Sequence, residues 1–420
     1  MVPFAWRRAD ASIHLTHPTT TGDIMQKRQF ITMLSGAMLA GVSGLTRAQG
    51  AGTPGVTDSE IKIGSTLPLS GPAAGYGAVG KAMSAWFDLV NAEGGVNGRK
   101  LKLVLADDGY SPPKTLEQVR RLVEREQVAF IAGQIGSSTG LATRSYLNNA
   151  KVPQLFVSSG AATWLDDAAK FPWSMGWLPL YTDEGRILAR HILQTRPNAK
   201  IAMFYQNDDA GKDVLRGMKE VLAAAGKPLV REESHEVSDP TVDSQIVSMQ
   251  ASGADVLVAW GSPKATLQSL RKAHDIGWRP TIYINPSASS VPMVLTPVGL
   301  DKVKGVMSAA FVKDPGDLTW KDDPGFQAWH AFMDKYNKGA AKEYLTVLGA
   351  CLGQVTVQLL KQCGNDLSRE NILRQARRLD MELPMMLPGL RVKTSDARPH
   401  PIPDMRIQQF DGTSWKVMSS

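Results

Sequence analysis

A glycine-rich loop near residue 75 is the first place where the sequence could support chemistry. Gly75-Tyr-Gly77-Ala-Val-Gly80 matches the dinucleotide pattern G-x-G-x-x-G, whose glycines let the backbone approach a pyrophosphate. Asp107 ends the next predicted strand, where a ribose-binding acid would stand. In the pattern that acid follows the first glycine by about 20 residues, whereas Asp107 follows Gly75 by 32. Tyr76 also suits a side-chain contact better than a phosphate cradle. An exported NAD(P)-dependent oxidoreductase that uses the Gly75–Gly80 loop is therefore kept only as the alternative function.

Other catalytic or metal-binding patterns are weak. No histidine pair stands at i and i+4, no glutamate-centred zinc motif occurs, and no nucleophile elbow is present. The acidic turn at residues 208–213 could hold a cation, but helix capping by Asp208 explains it better. We therefore expect no enzymatic activity, cofactor or bound metal.

Small hydroxylated loops follow several predicted strands instead. They cover residues 133–140, 158–163 and 285–290. Hydroxyls and free N–H groups at a helix start can bind a carboxylate, although plain N-capping is the other reading. Tyr76, Tyr181 and Trp260 could supply aromatic walls, or could simply belong to the core. Together these loops indicate a site for a small carboxylate-bearing ligand.

The surrounding elements alternate between strands and helices. We predict strands at residues 61–67, 101–106, 128–132, 154–157, 201–205, 256–260, 281–284 and 306–312. Helical patterns cover residues 78–93, 113–126, 140–149, 183–195, 211–225, 242–251, 263–276, 324–336 and 344–362. This alternation indicates an α/β fold with parallel sheets and crossover helices. The rhythm occurs twice, interrupted by the aromatic segment 172–179, and the chain closes with a predicted hairpin at 405–418. Ligands of such sheets sit at the carboxyl ends of the strands, where the hydroxylated loops lie.

The N-terminal 48 residues are typical of an upstream segment and an export leader. Residues 1–24 show no periodicity, and Met25 is the better start. Lys27 and Arg28 precede an apolar run at 30–45, and cleavage is expected near Ala48. The run has about 16 residues where a membrane span needs roughly 20, so a retained membrane helix is the weaker reading. The general secretory and twin-arginine routes both stay open.

The net charge limits the kinds of partner that the chain could bind, and the cysteine content limits its disulfide bonds. Removal of residues 1–48, with five basic and two acidic residues, lowers the formal charge from +7 to +4. The remaining basic residues are scattered, which argues against nucleic acid as a partner. Cys351 and Cys363 lie on one predicted helix about 18 Å apart, too far for a disulfide. We expect free thiols in a monomer.

Six sequence pieces in order resemble one family over residues 56–420. They are Ile61-Lys-Ile-Gly with Leu69-Ser-Gly-Pro-Ala-Ala-Gly-Tyr-Gly77, Asn91-Ala-Glu-Gly-Gly-Val-Asn-Gly98, Ala106-Asp-Asp108, Tyr205-Gln-Asn-Asp-Asp-Ala-Gly-Lys212, Ser262-Pro-Lys-Ala265 with Ile276-Gly-Trp278, and Leu387-Pro-Gly-Leu-Arg-Val392. The chain resembles the periplasmic solute-binding proteins of the branched-chain amino acid (leucine/isoleucine/valine-binding) type, which serve ATP-driven importers.

The resemblance implies a type I periplasmic-binding-protein fold: two doubly wound α/β lobes, joined by three crossover segments, that close on a ligand. It divides the chain into a first lobe (56–178 plus 303–385) and a second lobe (179–302 plus 386–420). It also implies a periplasmic protein with inner-membrane ABC permease subunits as partners. A ligand-sensing regulator or receptor on the same fold would need a DNA-binding helix pair, which is absent, or a retained membrane span.

The resemblance further implies roles for individual residues. Tyr76 is similar to the family's aromatic wall, and the carboxylate donors correspond to Ser137, Thr139, Ala161 and Thr163. We add Tyr181, Trp260 and Ser287 as candidate ligand-binding residues. The second lobe departs from the amino-acid binders, because Ala210 replaces a tyrosine and Asn285-Pro-Ser-Ala288 replaces a loop with a glutamate. An ammonium buried without a carboxylate is costly. The ligand is therefore either an amino acid or an aromatic or aliphatic organic acid without the ammonium.

Overall fold

Two separate sheets of mainly parallel strands organise the computed structural model, which describes residues 52–418. The first sheet contains β1 (Glu60–Leu67), β2 (Lys100–Asp107), β3 (Phe130–Ala132), β4 (Gln154–Val157) and β5 (Ser174–Gly176), in the spatial order β2-β1-β3-β4-β5. All four neighbour pairings are parallel. The sheet is doubly wound, with its switch point between β1 and β3.

The second sheet repeats this order and adds two strands. It begins with β6 (Ile201–Gln206), β7 (Arg231–His235), β8 (Val256–Trp260), β9 (Thr281–Ile284) and β10 (Met307–Ala310). After a separate two-stranded ladder, β11 (Asp380–Met381) and β12 (Val392–Lys393), the sheet is completed by β13 (Arg406–Phe410) and β14 (Trp415–Val417). Its order is β14-β13-β10-β9-β8-β6-β7, so the switch point lies between β6 and β8. The last two strands pair antiparallel as the predicted hairpin.

Twelve helices are assigned in the described part of the chain. They are α1 (Gly77–Ala92), α2 (Pro112–Glu124), α3 (Ser137–Asn149), α4 (Thr163–Asp166), α5 (Tyr181–Thr195), α6 (Asp209–Ala224), α7 (Asp243–Ala251), α8 (Pro263–Asp275), α9 (Thr296–Val298), α10 (Pro324–Tyr336), α11 (Tyr344–Cys363) and α12 (Arg369–Ala376). Short 3-10 turns cover Ala74–Tyr76, Pro286–Ala288 and Leu318–Trp320, and a π turn covers Val291–Leu295. No helix within residues 52–418 has the length and apolarity that crossing a membrane requires.

Helix packing explains several of the glycines. A Cβ on Gly185 of α5 would lie 2.2 Å from the Val214 carbonyl oxygen of α6, and one on Gly217 would lie 2.0 Å from the Thr182 carbonyl oxygen. The α1–α11 pair is equally close, since a Cβ on Gly349 would lie 2.3 Å from the Val79 carbonyl oxygen. At these three points only glycine allows the backbones to approach so closely.

The structure changes some details of the predicted organisation. The predicted division assigned residues 303–310 to the first lobe, but β10 pairs with β9 and β13 of the second sheet. The chain therefore crosses to the first lobe only after Ala310. The edge strand β7, the helix α12 and the β11–β12 ladder were not predicted. Cys351 and Cys363 are buried free thiols on α11. The predicted upstream segment and leader lie outside the described residues.

Candidate functional site

The two switch points contribute to one cleft between the sheets. From the first sheet the cleft receives Tyr76 after β1, Tyr110 after β2 and Ser137 after β3. From the second it receives Gln206 at the end of β6, Trp260 at the end of β8 and the 285–287 turn after β9. The other apolar lining residues are Ile135, Leu178, Tyr181, Ala210, Tyr344, Leu345 and Leu348. Ligands bind at this position in doubly wound sheets.

Aromatic rings form two walls of the cleft. Tyr76 and Tyr110 are stacked, with ring centroids 6.1 Å apart, and Tyr181 meets Trp260 edge to face at 5.0 Å. Burial raises the pKa of Tyr76 to about 12, and it raises the pKa of Tyr110 and Tyr181 as well. The phenols are therefore neutral at physiological pH. They offer hydrogen bonds and apolar faces, not charge.

Neutral donors from the first sheet gather at the start of α3. The Ser137 hydroxyl hydrogen-bonds the Ser159 hydroxyl at 2.7 Å. The neighbouring Ser158 lines the cleft, is 5% exposed, and its buried hydroxyl has no partner within the described residues. A buried hydroxyl without a partner is unfavourable. Together with the N-terminal N–H groups of a helix, it gives an arrangement suited to a carboxylate.

The second sheet presents amides and hydroxyls to the same space. Asn285 is 3% exposed, and its amide nitrogen donates to the Ser287 hydroxyl at 2.7 Å. Its side-chain oxygen Oδ1 is buried and accepts no hydrogen bond from residues 52–418. The Tyr76 and Ser287 hydroxyls lie 3.3 Å apart across the cleft. The cleft thus has one unused acceptor in Asn285 and one unused hydroxyl in Ser158.

Among residues 52–418, no acidic or basic side chain lines the cleft. Two carboxylates lie directly behind it, and each already accepts a hydrogen bond from a lining residue. Asp208 Oδ2 accepts from Gln206 Nε2 at 2.6 Å, and Glu184 Oε1 accepts from Trp260 Nε1 at 2.9 Å. Burial raises the pKa of both, that of Glu184 to about 8. The electrostatic character of the cleft surface is therefore neutral and polar.

The lobes are in contact across the cleft. Besides the Tyr76–Ser287 contact, Asp213 Oδ2 of α6 accepts from the Ala162 N–H at 2.7 Å, and the Ser290 hydroxyl donates to Glu343 Oε2. The cleft volume is about 50 Å³. Since a cavity of about 150 Å³ is known to hold benzene, a ring-sized ligand can enter only when the lobes move apart.

Five of the eight predicted site residues line this cleft: Tyr76, Ser137, Tyr181, Trp260 and Ser287. The other three do not. The Thr139 hydroxyl donates to the Ile135 carbonyl, and the Ala161 N–H donates to the Ser159 hydroxyl. Thr163 begins α4, and its carbonyl accepts from Arg144 at 3.1 Å. Whether the five residues bind the ligand stays a prediction.

Several lining residues were missed. Tyr110 follows the end of β2 in a left-handed conformation (φ 61°), so its position after a strand was a usable signal. The same signal applied to Ser158 and Asn285, whose loops were noted without naming these residues as candidates. Tyr344 begins a helix far from any strand end, and only the tertiary fold brings it to the cleft.

The dinucleotide reading of the Gly75–Gly80 loop is not supported. The opposite lobe lies against the loop, since a Cβ on Gly75 would lie 2.7 Å from the Met293 sulfur. Asp107 accepts from the Leu69 N–H at 2.8 Å and pairs with Lys114 at 2.9 Å, so it holds the loop in place. A pyrophosphate would have to displace these contacts.

Comparison with known proteins agrees with this architecture. A family model described as periplasmic binding protein matches residues 60–414. The Leu/Ile/Val-binding protein homolog 1 of Brucella abortus (strain 2308) is 26% identical over 344 residues, which cover 80% of this chain and 85% of the relative.

Two solved structures are similar at low sequence identity. One is the solute-binding protein of an ABC transporter from R. palustris in complex with benzoate. Its TM-score is 0.74 at 20% identity, with 86% of this chain and 96% of the other covered. The second is a branched chain amino acid ABC transporter structure from Thermus thermophilus with bound valine. Its TM-score is 0.76 at 14% identity, with coverage of 87% and 97%. At these identities the structural similarity supports the fold alone.

Proposed function

Since this chain belongs to the periplasmic binding protein family, we propose that it captures a small carboxylate-bearing solute between its lobes. We further propose that it presents the solute to the permease of an ABC importer of the branched-chain amino acid type. The protein binds its solute without converting it, as a monomer in the periplasm, after removal of a leader near Ala48.

The neutral lining of the cleft is the observation that carries the choice of ligand. On the first-lobe side, Ser137, the free Ser158 hydroxyl and the α3 N-terminus supply donors for a carboxylate. On the second-lobe side, the free acceptor is the amide oxygen of Asn285, which is neutral. A buried α-ammonium would require a carboxylate at this place. Loss of one partner from a buried ion pair costs about 3–5 kcal/mol, which is more than a hundredfold in affinity. We therefore propose an aromatic or aliphatic acid without an α-ammonium as the preferred solute.

The two solved structures that are similar in fold contain one ligand of each type. The R. palustris protein was solved with benzoate and the Thermus thermophilus structure with valine. A stacked tyrosine pair and an edge-to-face Tyr181–Trp260 pair suit a flat or branched hydrocarbon body of either type. The distinction between the two ligand types thus rests on the charge of the cleft.

Hinge closure is the mechanism that fits these contacts. The open form admits the solute, the solute bridges donors on one lobe and acceptors on the other, and the closed form becomes favoured. Contacts such as Asp213–Ala162 can form only when the lobes are together, so they add to the stability of the closed form. The permease would then recognise the closed form.

Calorimetric titration of the mature protein tests the proposal with a matched pair of ligands. Leucine and 4-methylpentanoate have the same branched body and carboxylate and differ by the ammonium, and benzoate extends the series to a ring. We expect both acids to bind at least about tenfold tighter than leucine. Tight leucine binding without binding of either acid would refute the preference for acids.

A further inference from the structure

A second cavity lies beside the cleft, on the far side of Tyr344. It is lined by the 289–292 turn, strands β10, β13 and β14, the crossing segment Val312–Gly316, and Lys342–Tyr344 at the start of α11. Its volume is about 220 Å³, larger than the cleft itself. We refer to it as the Glu343 cavity. Tyr344 lines both spaces and separates them.

Two carboxyl groups line the Glu343 cavity without a basic partner. Glu343 is 5% exposed and receives the Ser290 hydroxyl, a neutral donor. Asp314 accepts from the backbone N–H groups of Trp415 at 2.7 Å and Gly316 at 3.1 Å. Neither carboxylate forms a salt bridge within residues 52–418. Burial raises the pKa of both groups, as expected where a negative charge lacks compensation.

The two lysines of the lining are engaged elsewhere. Lys313 donates to the Pro384 carbonyl at 2.8 Å and pairs with Asp323 at 2.8 Å. Lys342 pairs with Asp334 at 2.7 Å. They are therefore committed to other partners. Outside the lining, Lys416 acts electrostatically on the Asp314 carboxyl but is paired with Asp317, so no lysine forms a salt bridge with either carboxyl within residues 52–418.

Gln408 gives an independent indication that the cavity takes a polar ligand. Its side chain lines the cavity and is 5% exposed, yet it makes no side-chain hydrogen bond with the described part of the chain. Its amide nitrogen and oxygen are not themselves fully buried, so they are accessible to a group inside the cavity. A ligand group that can hydrogen-bond would satisfy the amide.

From this combination we infer that the Glu343 cavity binds a small organic ammonium ion. The ammonium group is placed between Glu343, Asp314 and the Gln408 amide oxygen. The hydrocarbon body packs on the apolar lining, which includes Pro292, Val312 and Trp415. A cavity of about 150 Å³ holds a benzene ring, so 220 Å³ has room for a ring with a short aminoalkyl group. This site is separate from the proposed carboxylate cleft and does not depend on its ligand.

Occupation of the cavity should influence the cleft. Glu343 belongs to the helix that packs on α1 of the first lobe, whereas Gln408 and Trp415 belong to the second sheet. An ammonium that contacts both sides favours the closed arrangement, which the solute also favours. Such coupling is reciprocal, so each ligand should tighten the binding of the other.

Calorimetry with benzylamine and benzyl alcohol tests the inference, because the two probes match in size and differ in charge at pH 7.5. We expect benzylamine to bind at least about tenfold tighter than the alcohol. Glu343→Gln keeps the backbone N–H that bonds Thr346 and can still accept from Ser290. It should weaken benzylamine binding about tenfold or more. Should Glu343→Gln fail to fold, Asp314→Asn serves as a second variant and should weaken benzylamine binding in the same direction.

Two controls separate this site from the cleft. Lys342→Met, which removes a positive charge beside the cavity, should increase benzylamine affinity. Tyr76→Ala lies in the cleft and removes one contact between the lobes, so it should weaken benzylamine binding far less than Glu343→Gln does. The inference is overturned if benzylamine does not bind, if the alcohol binds equally well, or if a folded carboxyl variant binds benzylamine as the wild type does. It is also overturned if Tyr76→Ala abolishes benzylamine binding, because the probe would then occupy the cleft.

Discussion

Asn285→Asp is the substitution that changes the charge of the cleft with the smallest change of shape. The asparagine is 3% exposed, and its side-chain oxygen is the unused acceptor of the second-lobe side. The Ser287 hydroxyl, which now accepts from the Asn285 amide nitrogen at 2.7 Å, can turn and donate to the new carboxylate. The local hydrogen bonding is therefore preserved while one negative charge is added.

The expected magnitude follows from Coulomb's law. At a separation of roughly 6–8 Å and an effective dielectric constant of about 20, two unit charges interact by about 2–3 kcal/mol. That corresponds to about 30- to 100-fold in affinity. The variant should bind 4-methylpentanoate more weakly by this factor, because the new charge repels the carboxylate. It should bind leucine more tightly, because the new charge stabilises the ammonium.

Paired titrations of wild type and variant at pH 8 measure both changes. Ser287→Ala is the matched control, since it alters the same turn without adding charge, and it should shift both ligands equally and by less. The unliganded melting temperatures should agree within about 3 °C. If the variant shows no opposite shift for the two ligands, Asn285 does not face the ligand and the charge argument is wrong.

Five further substitutions at four positions test separate parts of the account. Tyr76→Ala should raise the dissociation constant of the acid by about tenfold or more through lost ring contact. Tyr76→Phe should cost only about two- to fivefold, and an unchanged constant in titrations of the alanine variant would remove Tyr76 from the site. Asp213→Ala removes the contact to the Ala162 N–H and should weaken binding up to about tenfold by disfavouring closure; equal affinity would mean that the contact is not specific to the closed form. Because burial raises the pKa of Glu184 to about 8, the folded protein keeps a proton that the unfolded chain releases above its ordinary pKa. Stability should therefore fall between about pH 4.5 and 8, by roughly 3–5 kcal/mol from this group. Glu184→Gln should flatten that slope in chemical denaturation, and an unaltered slope would contradict it. Gly349→Ala forces α1 and α11 apart and should destabilise the fold by about 1–3 kcal/mol, seen as a lower melting temperature.

Buried parallel strands were the most predictable part of the fold. The residues of β8, Val256–Trp260, are apolar and all buried, and they were predicted with the bounds that the structure gives. β7 was not predicted because its sequence, Arg-Glu-Glu-Ser-His, is mostly charged. The strand lies at the edge of the sheet, where its side chains are little buried and therefore show no apolar pattern. The assignment of β10 to the second sheet depends on long-range pairing, which a local pattern does not encode.

The site was predictable where it follows strand ends and unpredictable elsewhere. Tyr76 lies in the loop that follows β1, and Ser287 lies in the turn that follows β9. The doubly wound fold places such loops together. Ser137 and Thr139 were predicted as a pair, but residues two apart on a helix point in different directions. Only Ser137 reaches the cleft, and the Thr139 hydroxyl instead bonds the Ile135 carbonyl. Tyr344 reaches the cleft through packing of α11 on α1, which the sequence alone does not specify.

Identification of the small molecule that co-purifies with the exported protein tests the central claim most directly. Protein isolated without added ligand would be denatured, and the released compound analysed by mass spectrometry with and without an amine-reactive reagent. We predict a small carboxylic acid whose mass the reagent leaves unchanged. Release of an α-amino acid would contradict the neutral-cleft argument, and release of a nicotinamide dinucleotide would contradict the proposed solute-binding function itself.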